Sequence, residues 1–141
     1  MFIGEYTYSI DDKKRVVLPP KFRQTLGEKV VITKGYEGCV TLYPLKEWEV
    51  EAKRISAMPK EDPGVRMLAR KVLGEARDID VDSMGRIIIP EELRKHAGLE
   101  KRIVMTGLYD RIEIWNEKKW DEYKSMADDN EAHTGNGKGG H

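Results

Sequence analysis

Two short charged segments contain the residues best suited to chemistry. Asp11 and Arg15 lie four positions apart, and Asp82 and Arg86 repeat this spacing 71 residues later. A carboxylate and a guanidinium at this spacing can pair across a tight turn, which would direct the guanidinium off the edge of a sheet. Such an arginine can bind phosphate, or guanine through O6 and N7 in the major groove. The alternative is an ordinary surface salt bridge, which is common and weakly stabilising, and the spacing alone does not decide between the two.

The charges around the two motifs differ. Residues 11–23 contain five basic and two acidic side chains, whereas residues 82–94 contain two basic and three acidic ones. We predict that Lys13, Lys14 and Lys21 contact phosphate if the first turn faces DNA. From this local excess of positive charge we also expect Arg15 to contribute more to affinity than Arg86.

The composition excludes several functional classes. The 25 basic and 25 acidic residues give a formal net charge of zero, which argues against coating nucleic acid by bulk attraction. The single cysteine cannot form an intrachain disulfide. No nucleophile and base are paired in the sequence, and the three histidines are scattered, so we predict no enzyme activity, cofactor, metal site or small-molecule substrate. No apolar run or amino-terminal leader predicts membrane insertion or export, so we expect a cytoplasmic protein without a membrane partner.

Each motif belongs to a longer repeat. After the arginine come three apolar residues and a proline, at Pro19 and at Pro90, and the likeness continues through hairpins to Trp48 and Trp120. A unit of about 45 residues is too small to bury a sufficient core alone. The two copies are therefore expected to share one core.

The elements that must position the motifs follow from periodicity and turn residues. Each copy reads as strand, turn, strand, short helix and hairpin, with the helix opened by proline and stopped by glycine. The predicted strands are 4–10, 15–18, 30–33, 40–43, 79–81, 86–89, 103–106 and 111–115, and the predicted helices are 21–26, 45–57, 63–73, 91–97 and 117–126. Residues 128–141 are expected to form a disordered tail. The resulting domain prediction is repeat one at 1–50, a helical connector at 51–74, repeat two at 75–121 and a carboxyl-terminal segment at 122–141.

The pattern Asp-x-x-x-Arg, three apolar residues, proline, a short helix and a hairpin resembles the swapped-hairpin DNA-binding domain of the AbrB type. Two such copies, joined by helices and each followed by a tryptophan, resemble the MraZ family of bacterial transcriptional regulators. The likeness covers residues 1–126. The glycine that the family usually carries before the arginine is present as Gly85, whereas the first copy has Lys14 in its place.

The resemblance implies an α+β fold in which two β-rich swapped-hairpin repeats interlock as a pseudo-two-fold barrel. It also implies assembly of several chains into a homo-oligomeric ring and binding of double-stranded DNA at short tandem repeats. The promoter concerned would be the protein's own, upstream of cell-division and cell-wall genes, and the protein would be nucleoid-associated and act as a repressor. The DNA-contacting residues carried over from the family motif are Asp11, Arg15, Asp82 and Arg86.

A protein-interaction module of antitoxin-like or scaffold type, built on the same barrel, is the alternative. Zero net charge and apolar residues on the connecting helices favour it. An enzyme that uses Asp11 or Asp82 as a carboxylate catalyst has no further support in the sequence.

Overall fold

The computed structural model describes residues 1–137, with side chains described through residue 130. It has eight strands and five helices in this range. The strands are β1 (Phe2–Ser9), β2 (Arg15–Val17), β3 (Lys29–Lys34), β4 (Val40–Pro44), β5 (Arg77–Asp80), β6 (Arg86–Ile88), β7 (Arg102–Tyr109) and β8 (Ile112–Asn116); the helices are α1 (Pro20–Leu26), α2 (Leu45–Ser56), α3 (Pro63–Val72), α4 (Glu91–Ala97) and α5 (Glu117–Gly137). The predicted α+β class and the two-repeat organisation are confirmed.

The two repeats exchange strands. The first strand of repeat one, β1, pairs along its whole length with β7 of repeat two. In return β5 of repeat two pairs with β3 of repeat one. The hairpins β3–β4 and β7–β8 join through β4 and β8, which gives one sheet in the order β1-β7-β8-β4-β3-β5. Neither repeat therefore has a complete sheet without the other.

The remaining strands, β2 and β6, form a separate two-stranded antiparallel ribbon. Its central residues Val16 and Ile87 face each other and are each 1% exposed. Together with Leu18 and Ile89 they join the buried cluster of the large sheet. The ribbon and the residue that follows each of its strands therefore contribute two apolar side chains from each repeat to the shared core, as expected from the small size of each copy.

The closed barrel expected from the sequence is not formed by the strand pairing. In the described part of the chain β1 and β5 each pair on one side only, so the six-stranded sheet stays open. The physical reason is that β2 and β6 are three residues long and satisfy each other's hydrogen bonds, so they do not bridge the two sheet edges.

Proline and glycine punctuate the short helices as predicted. Pro20 lies in the first turn of α1, and Gly98 ends α4 with left-handed backbone angles. The side chain of Asp62 accepts a hydrogen bond from the Gly64 N–H at the start of α3, as expected for a helix cap.

The carboxyl-terminal prediction is corrected. Helix α5 continues from Glu117 to Gly137, eleven residues beyond the predicted end at Met126. The predicted disordered tail therefore begins too early at residue 128, and its last four residues lie outside the described part of the chain. Local composition rich in glycine and charge favoured a tail, whereas the helix propagates from its packed first turns.

Candidate nucleic-acid interface

The first turn is organised by one carboxylate. Asp11 Oδ1 accepts hydrogen bonds from the backbone N–H groups of Lys13 and Arg15, at 2.9 and 2.8 Å. Asp11 Oδ2 accepts a hydrogen bond from Arg15 Nε at 2.7 Å. The same side chain thus closes the turn and fixes the arginine that follows it.

The second turn has the same geometry. Asp82 Oδ1 accepts from the N–H groups of Met84 and Arg86, and its Oδ2 accepts from Arg86 Nε at 2.9 Å. The residue before each arginine has a left-handed backbone, with φ of 64° at Lys14 and 75° at Gly85. Lys14 therefore adopts the conformation that glycine would favour, and the departure from the family pattern does not change the turn.

Hydrogen bonding to the turn lowers the pKa of both aspartates. For Asp11 the largest cause is the Arg15 backbone N–H, assisted by the Arg15 side chain and the Lys13 N–H. For Asp82 the corresponding groups are those of Arg86 and Met84. Both aspartates are therefore ionised near neutral pH, which keeps each arginine paired through Nε.

The terminal nitrogens of both arginines remain available. Among residues 1–130 neither Nη atom of Arg15 or of Arg86 has a hydrogen-bond partner. The two side chains are 29% and 22% exposed. Pairing through Nε leaves the end of the guanidinium fork with two parallel donors, which is the geometry needed for guanine O6 and N7 or for phosphate.

The ribbon brings both arginines to one face. Arg15 lies opposite Ile88, and Arg86 lies opposite Val17. Since the buried pair Val16 and Ile87 points into the core, these four residues point the other way, towards solvent. The two arginines occupy diagonal positions, for which the Cβ separation is about 7–8 Å. Arg15 and Arg86, distant in sequence, thus form one surface.

The strand exchange also redistributes the charges around the turns. The Arg23 side chain of α1 lies over Gly85 of the second turn, where any Cβ would overlap its guanidinium. The Leu18 N–H donates to the Gly85 carbonyl. Helix α1, which carries the exposed Lys21, therefore starts beside the second turn and not beside the first. Lys21 is separated in this way from Lys13 and Lys14, which stay in the first turn.

The first turn lies beside α4 of the second repeat. Lys14 lines a shallow depression together with Glu91, Arg94 and Lys95. Glu91 pairs with Lys95 at 3.4 Å, and Glu92 pairs with Arg77 at 2.9 Å. The acidic residues expected to weaken the second motif are thus partly neutralised, and Glu91 belongs to the first turn's surroundings.

Two residues of this surface, Val17 and Ile88, were not identified from the sequence. Val17 and Ile88 are the middle residues of the two apolar triplets, and only the first and the last residue of each triplet point inward. The alternation of a strand could have shown this. Arg23 was recognisable in the sequence as a basic residue after a helix start, able to contact phosphate or to pair with a carboxylate. It donates to the Leu18 carbonyl through Nε at 3.1 Å, and its contact with Gly85 could not be predicted because that turn is in the other repeat.

Two other reactive side chains belong to the scaffold, where Cys39 is buried and His96 is half-buried. Burial raises the pKa of the Cys39 thiol well above its usual range, and the thiol donates to the Tyr36 carbonyl at 3.3 Å. Burial also lowers the pKa of His96, assisted by Lys34 and Lys71. Across the described residues no cluster of three potential metal ligands exists, and none of the described helices has the length and apolar content needed to cross a membrane.

The fold and this surface define a class: a two-repeat α+β protein that presents two aspartate-anchored arginines on an exposed β-ribbon. The sequence profile of the MraZ protein family, whose description calls it antitoxin-like, matches residues 1–71 and again residues 72–137. The chain belongs to the MraZ family.

Known relatives cover nearly the same length. The chain is 40% identical over 131 residues to the transcriptional regulator MraZ of Clostridium tetani, which is 93% of this chain and 92% of the relative. It is 43% identical over 123 residues to the transcriptional regulator MraZ of Acetivibrio thermocellus, covering 87% and 86% of the two chains. The resemblance inferred from the two Asp-x-x-x-Arg motifs is thereby confirmed.

Proposed function

We propose that this protein is a sequence-specific DNA-binding transcriptional regulator. The observation that carries the proposal is the placement of Arg15 and Arg86 on one exposed ribbon face, each held through Nε and each with free terminal donors. An ordinary surface salt bridge does not require this arrangement twice on one face. The names of the relatives, transcriptional regulators, support the same function.

The ribbon has the dimensions for major-groove recognition. Two paired strands are about 4.8 Å apart, and the major groove of B-DNA is about 12 Å wide and admits a two-stranded ribbon. Each arginine would bind one guanine through its terminal nitrogens. Lys13 and Lys14, both exposed in the first turn, would bind phosphate, and Lys21 would do so from the side of the second turn.

The target we propose is a set of short tandem repeats in the protein's own promoter, upstream of cell-division and cell-wall genes, with repression as the outcome. A neutral chain gains little from bulk attraction, so affinity would come from several ribbons held in one homo-oligomeric ring. Each further ribbon then binds its repeat at a high effective concentration.

We also propose that the two repeats follow the swapped-hairpin arrangement around a pseudo-two-fold axis. Its support is the reciprocal pairing of β1 with β7 and of β5 with β3. The antiparallel ribbon β2–β6, centred on Val16 and Ile87, would lie on that axis.

The proposal is tested by binding assays on the DNA directly upstream of the gene. Arg15→Ala and Arg86→Ala should each cost about 1–3 kcal/mol of specific binding per ribbon engaged. Lys13→Ala should weaken binding to all sequences and reduce the slope of log K against log salt by about one unit. Wild-type affinity in Arg15→Ala would refute the assignment.

A matched control is available on the large sheet. Arg102 is an exposed arginine of β7, not of the ribbon, and it pairs with Glu117 at 3.3 Å. Arg102→Ala should lower nonspecific attraction slightly and leave sequence preference unchanged. An equal loss in Arg102→Ala and Arg15→Ala would show that only total charge matters.

A protein-interaction module remains the second candidate because of one groove. Ile55, Val65, Ala69 and Leu73 line a cavity of about 260 Å³ between α2 and α3, rimmed by basic residues such as Arg66 and Arg70. If another copy of this chain occupied the same groove, the contact would serve the proposed homo-oligomeric ring. A stoichiometric heterologous partner in purified protein, together with no protection of upstream DNA, would favour the interaction module over the regulator.

A further inference from the structure

The outward face of the ribbon carries apolar side chains beside its arginines. Ile88 is 56% exposed, and Val17 is half-buried. Each lies directly opposite an arginine of the other strand, Ile88 beside Arg15 and Val17 beside Arg86. The face therefore presents the same pair twice, a guanidinium and a β-branched apolar group.

These two residues do not serve the core. The inward positions of the ribbon are already filled by Val16 and Ile87, each 1% exposed. Met84, in the second turn, is 62% exposed next to the same face. A single exposed apolar residue needs no explanation, but two exposed apolar side chains and the half-buried Val17 beside two guanidinium groups form a surface that is both apolar and hydrogen-bonding.

In the major groove two bases match these two kinds of side chain. Thymine presents a C5-methyl group there, and guanine presents O6 and N7 as acceptors. Residues directly opposite in an antiparallel pair have Cβ atoms about 4.5–5.5 Å apart, and successive base pairs rise by about 3.4 Å. An arginine that binds guanine would thus leave its cross-strand neighbour over an adjacent base pair.

We propose that Val17 and Ile88 read the methyl groups of thymines adjacent to the guanines bound by Arg86 and Arg15. The inference rests on the proposed DNA-binding function and adds the class of base recognised beside each guanine. Because Asp11 and Asp82 fix the arginines through Nε, the neighbouring side chains are fixed relative to the same bases. The methyl contact would then discriminate thymine from cytosine, which offers an amino group instead.

The test uses DNA that lacks the methyl groups. The region directly upstream of the gene is amplified once with thymidine and once with deoxyuridine, which keeps every hydrogen-bonding group and removes only the methyls. Burying one methyl is worth about 0.8 kcal/mol, or roughly a fourfold change in affinity. Wild-type protein should therefore bind the thymidine duplex about fourfold more tightly per methyl contacted, up to roughly fifteenfold for a ribbon with two contacts.

Variants assign the effect to the ribbon. Ile88→Ala should bind the two duplexes with a smaller ratio than wild type, and Val17→Ala combined with Ile88→Ala should bring the ratio close to one. The control is Ile3→Ala, since Ile3 is 49% exposed on β1, outside the ribbon. Its ratio should equal that of wild type.

The outcomes separate the two proposals. If the wild-type protein shows no sequence-specific binding to the thymidine duplex, the proposed function fails and the inference fails with it. If wild type binds specifically but with equal affinity for both duplexes, the function stands and methyl reading is wrong. A ratio that is unchanged in the Val17 and Ile88 double variant also overturns the assignment, because the methyl groups would then be read elsewhere.

Discussion

At the scale of single residues, one aspartate in each turn accepts hydrogen bonds from both the backbone and the arginine side chain. Asp11 Oδ1 caps two backbone N–H groups, while its Oδ2 holds Arg15. The backbone bonds make the turn, and the side-chain bond determines which guanidinium nitrogens stay free. Removing the second role while keeping the first would separate turn formation from arginine orientation.

Asp11→Asn makes this separation. The amide oxygen can still accept the Lys13 and Arg15 N–H groups, but the amide nitrogen cannot accept from Arg15 Nε. We expect the protein to fold and specific DNA affinity to fall about tenfold, because Arg15 Nε loses its charge-assisted partner and the guanidinium is no longer held in one orientation. Circular dichroism and fluorescence anisotropy measure the two effects. Asp12→Asn is the control, since Asp12 is exposed and has no hydrogen-bond partner in the described range. It removes the same negative charge, which by itself lessens repulsion from phosphate, so affinity should not fall; equal losses in both variants would show that the Arg15 orientation is not the cause.

The lowered pKa values of Asp11 and Asp82 predict a pH dependence of stability. A group with a depressed pKa in the folded state stabilises that state above its unfolded pKa, and the contribution is lost as pH falls through the folded value. We expect the free energy of unfolding to decrease as the pH falls below 3.8, the ordinary pKa of aspartate. Urea denaturation between about pH 5 and pH 2 measures it, and the Asp11→Asn, Asp82→Asn double variant should show a shallower loss than wild type.

At the scale of elements, the two turns have one backbone but different neighbours. Lys14 carries its side chain with a left-handed φ, whereas Gly85 lies beneath the Arg23 guanidinium. Glycine at the second turn therefore satisfies two requirements, the backbone angle and the close contact. The lysine at the first turn satisfies only the backbone requirement, at a cost of about 1–2 kcal/mol for an L-residue in this region.

Gly85→Ala should lower the free energy of unfolding by about 2–3 kcal/mol, since left-handed strain adds to displacement of Arg23. Gly38→Ala is the matched control: its φ of 86° is also positive, but among the described residues no atom other than those of Gly38 and its chain neighbours lies within 4 Å of the position of a new Cβ. Urea denaturation of both variants measures the difference. If Gly38→Ala were as destabilising as Gly85→Ala, the Arg23 contact would contribute nothing.

The placement of each short helix beside the turn of the other repeat reduces the difference in DNA affinity expected between Arg15 and Arg86. Lys13 and Lys14 remain beside Arg15, but the α1 helix with Lys21 and Arg23 lies towards Arg86. The larger contribution to affinity predicted for Arg15 therefore depends on Lys13 and Lys14 alone, and Lys14 lines the same depression as Glu91. Salt titrations of Arg15→Ala and Arg86→Ala measure the order directly.

At the scale of the whole molecule, the repeats share every layer of structure. Each large-sheet edge strand comes from the repeat opposite to the hairpin that it pairs with, and the ribbon takes one strand from each. The core cluster likewise mixes residues of both copies. Such a structure is expected to unfold in a single cooperative step.

Ile87→Ala tests this cooperativity. Ile87 is 1% exposed between the repeats, and its truncation should cost about 2–5 kcal/mol. Tryptophan fluorescence and far-ultraviolet circular dichroism should still give coincident transitions, since the fluorescence comes from Trp48 of repeat one and from Trp115 and Trp120 of repeat two. The neighbouring Ile88→Ala, on the exposed face, should change stability by less than about 0.5 kcal/mol. Separate transitions for the two probes would show that the repeats unfold independently.

The sequence by itself determined the duplication, the element order and the chemistry of each turn, because these depend on residues close together in the chain. Asp11 with Arg15, and Asp82 with Arg86, are pairs of this kind, and so are the prolines and glycines that delimit α1 and α4. The family also followed from these local patterns. Some element ends were misplaced: β7 extends to Tyr109, beyond its predicted end at residue 106, and α5 extends to Gly137, since glycine and charge content do not report how far a packed element propagates.

Only the tertiary structure decided which parts of the two repeats meet. The sheet is open and not a closed barrel, Arg15 and Arg86 share one ribbon face, and Arg23 packs on the turn of the other repeat. These features depend on pairing between strands that are distant in the sequence, from Ile32 with Arg77 to Phe2 with Tyr109, where a change of one residue in register would reverse every side chain. Local composition contains no information on that register, so the face that carries both arginines became visible only in the folded chain.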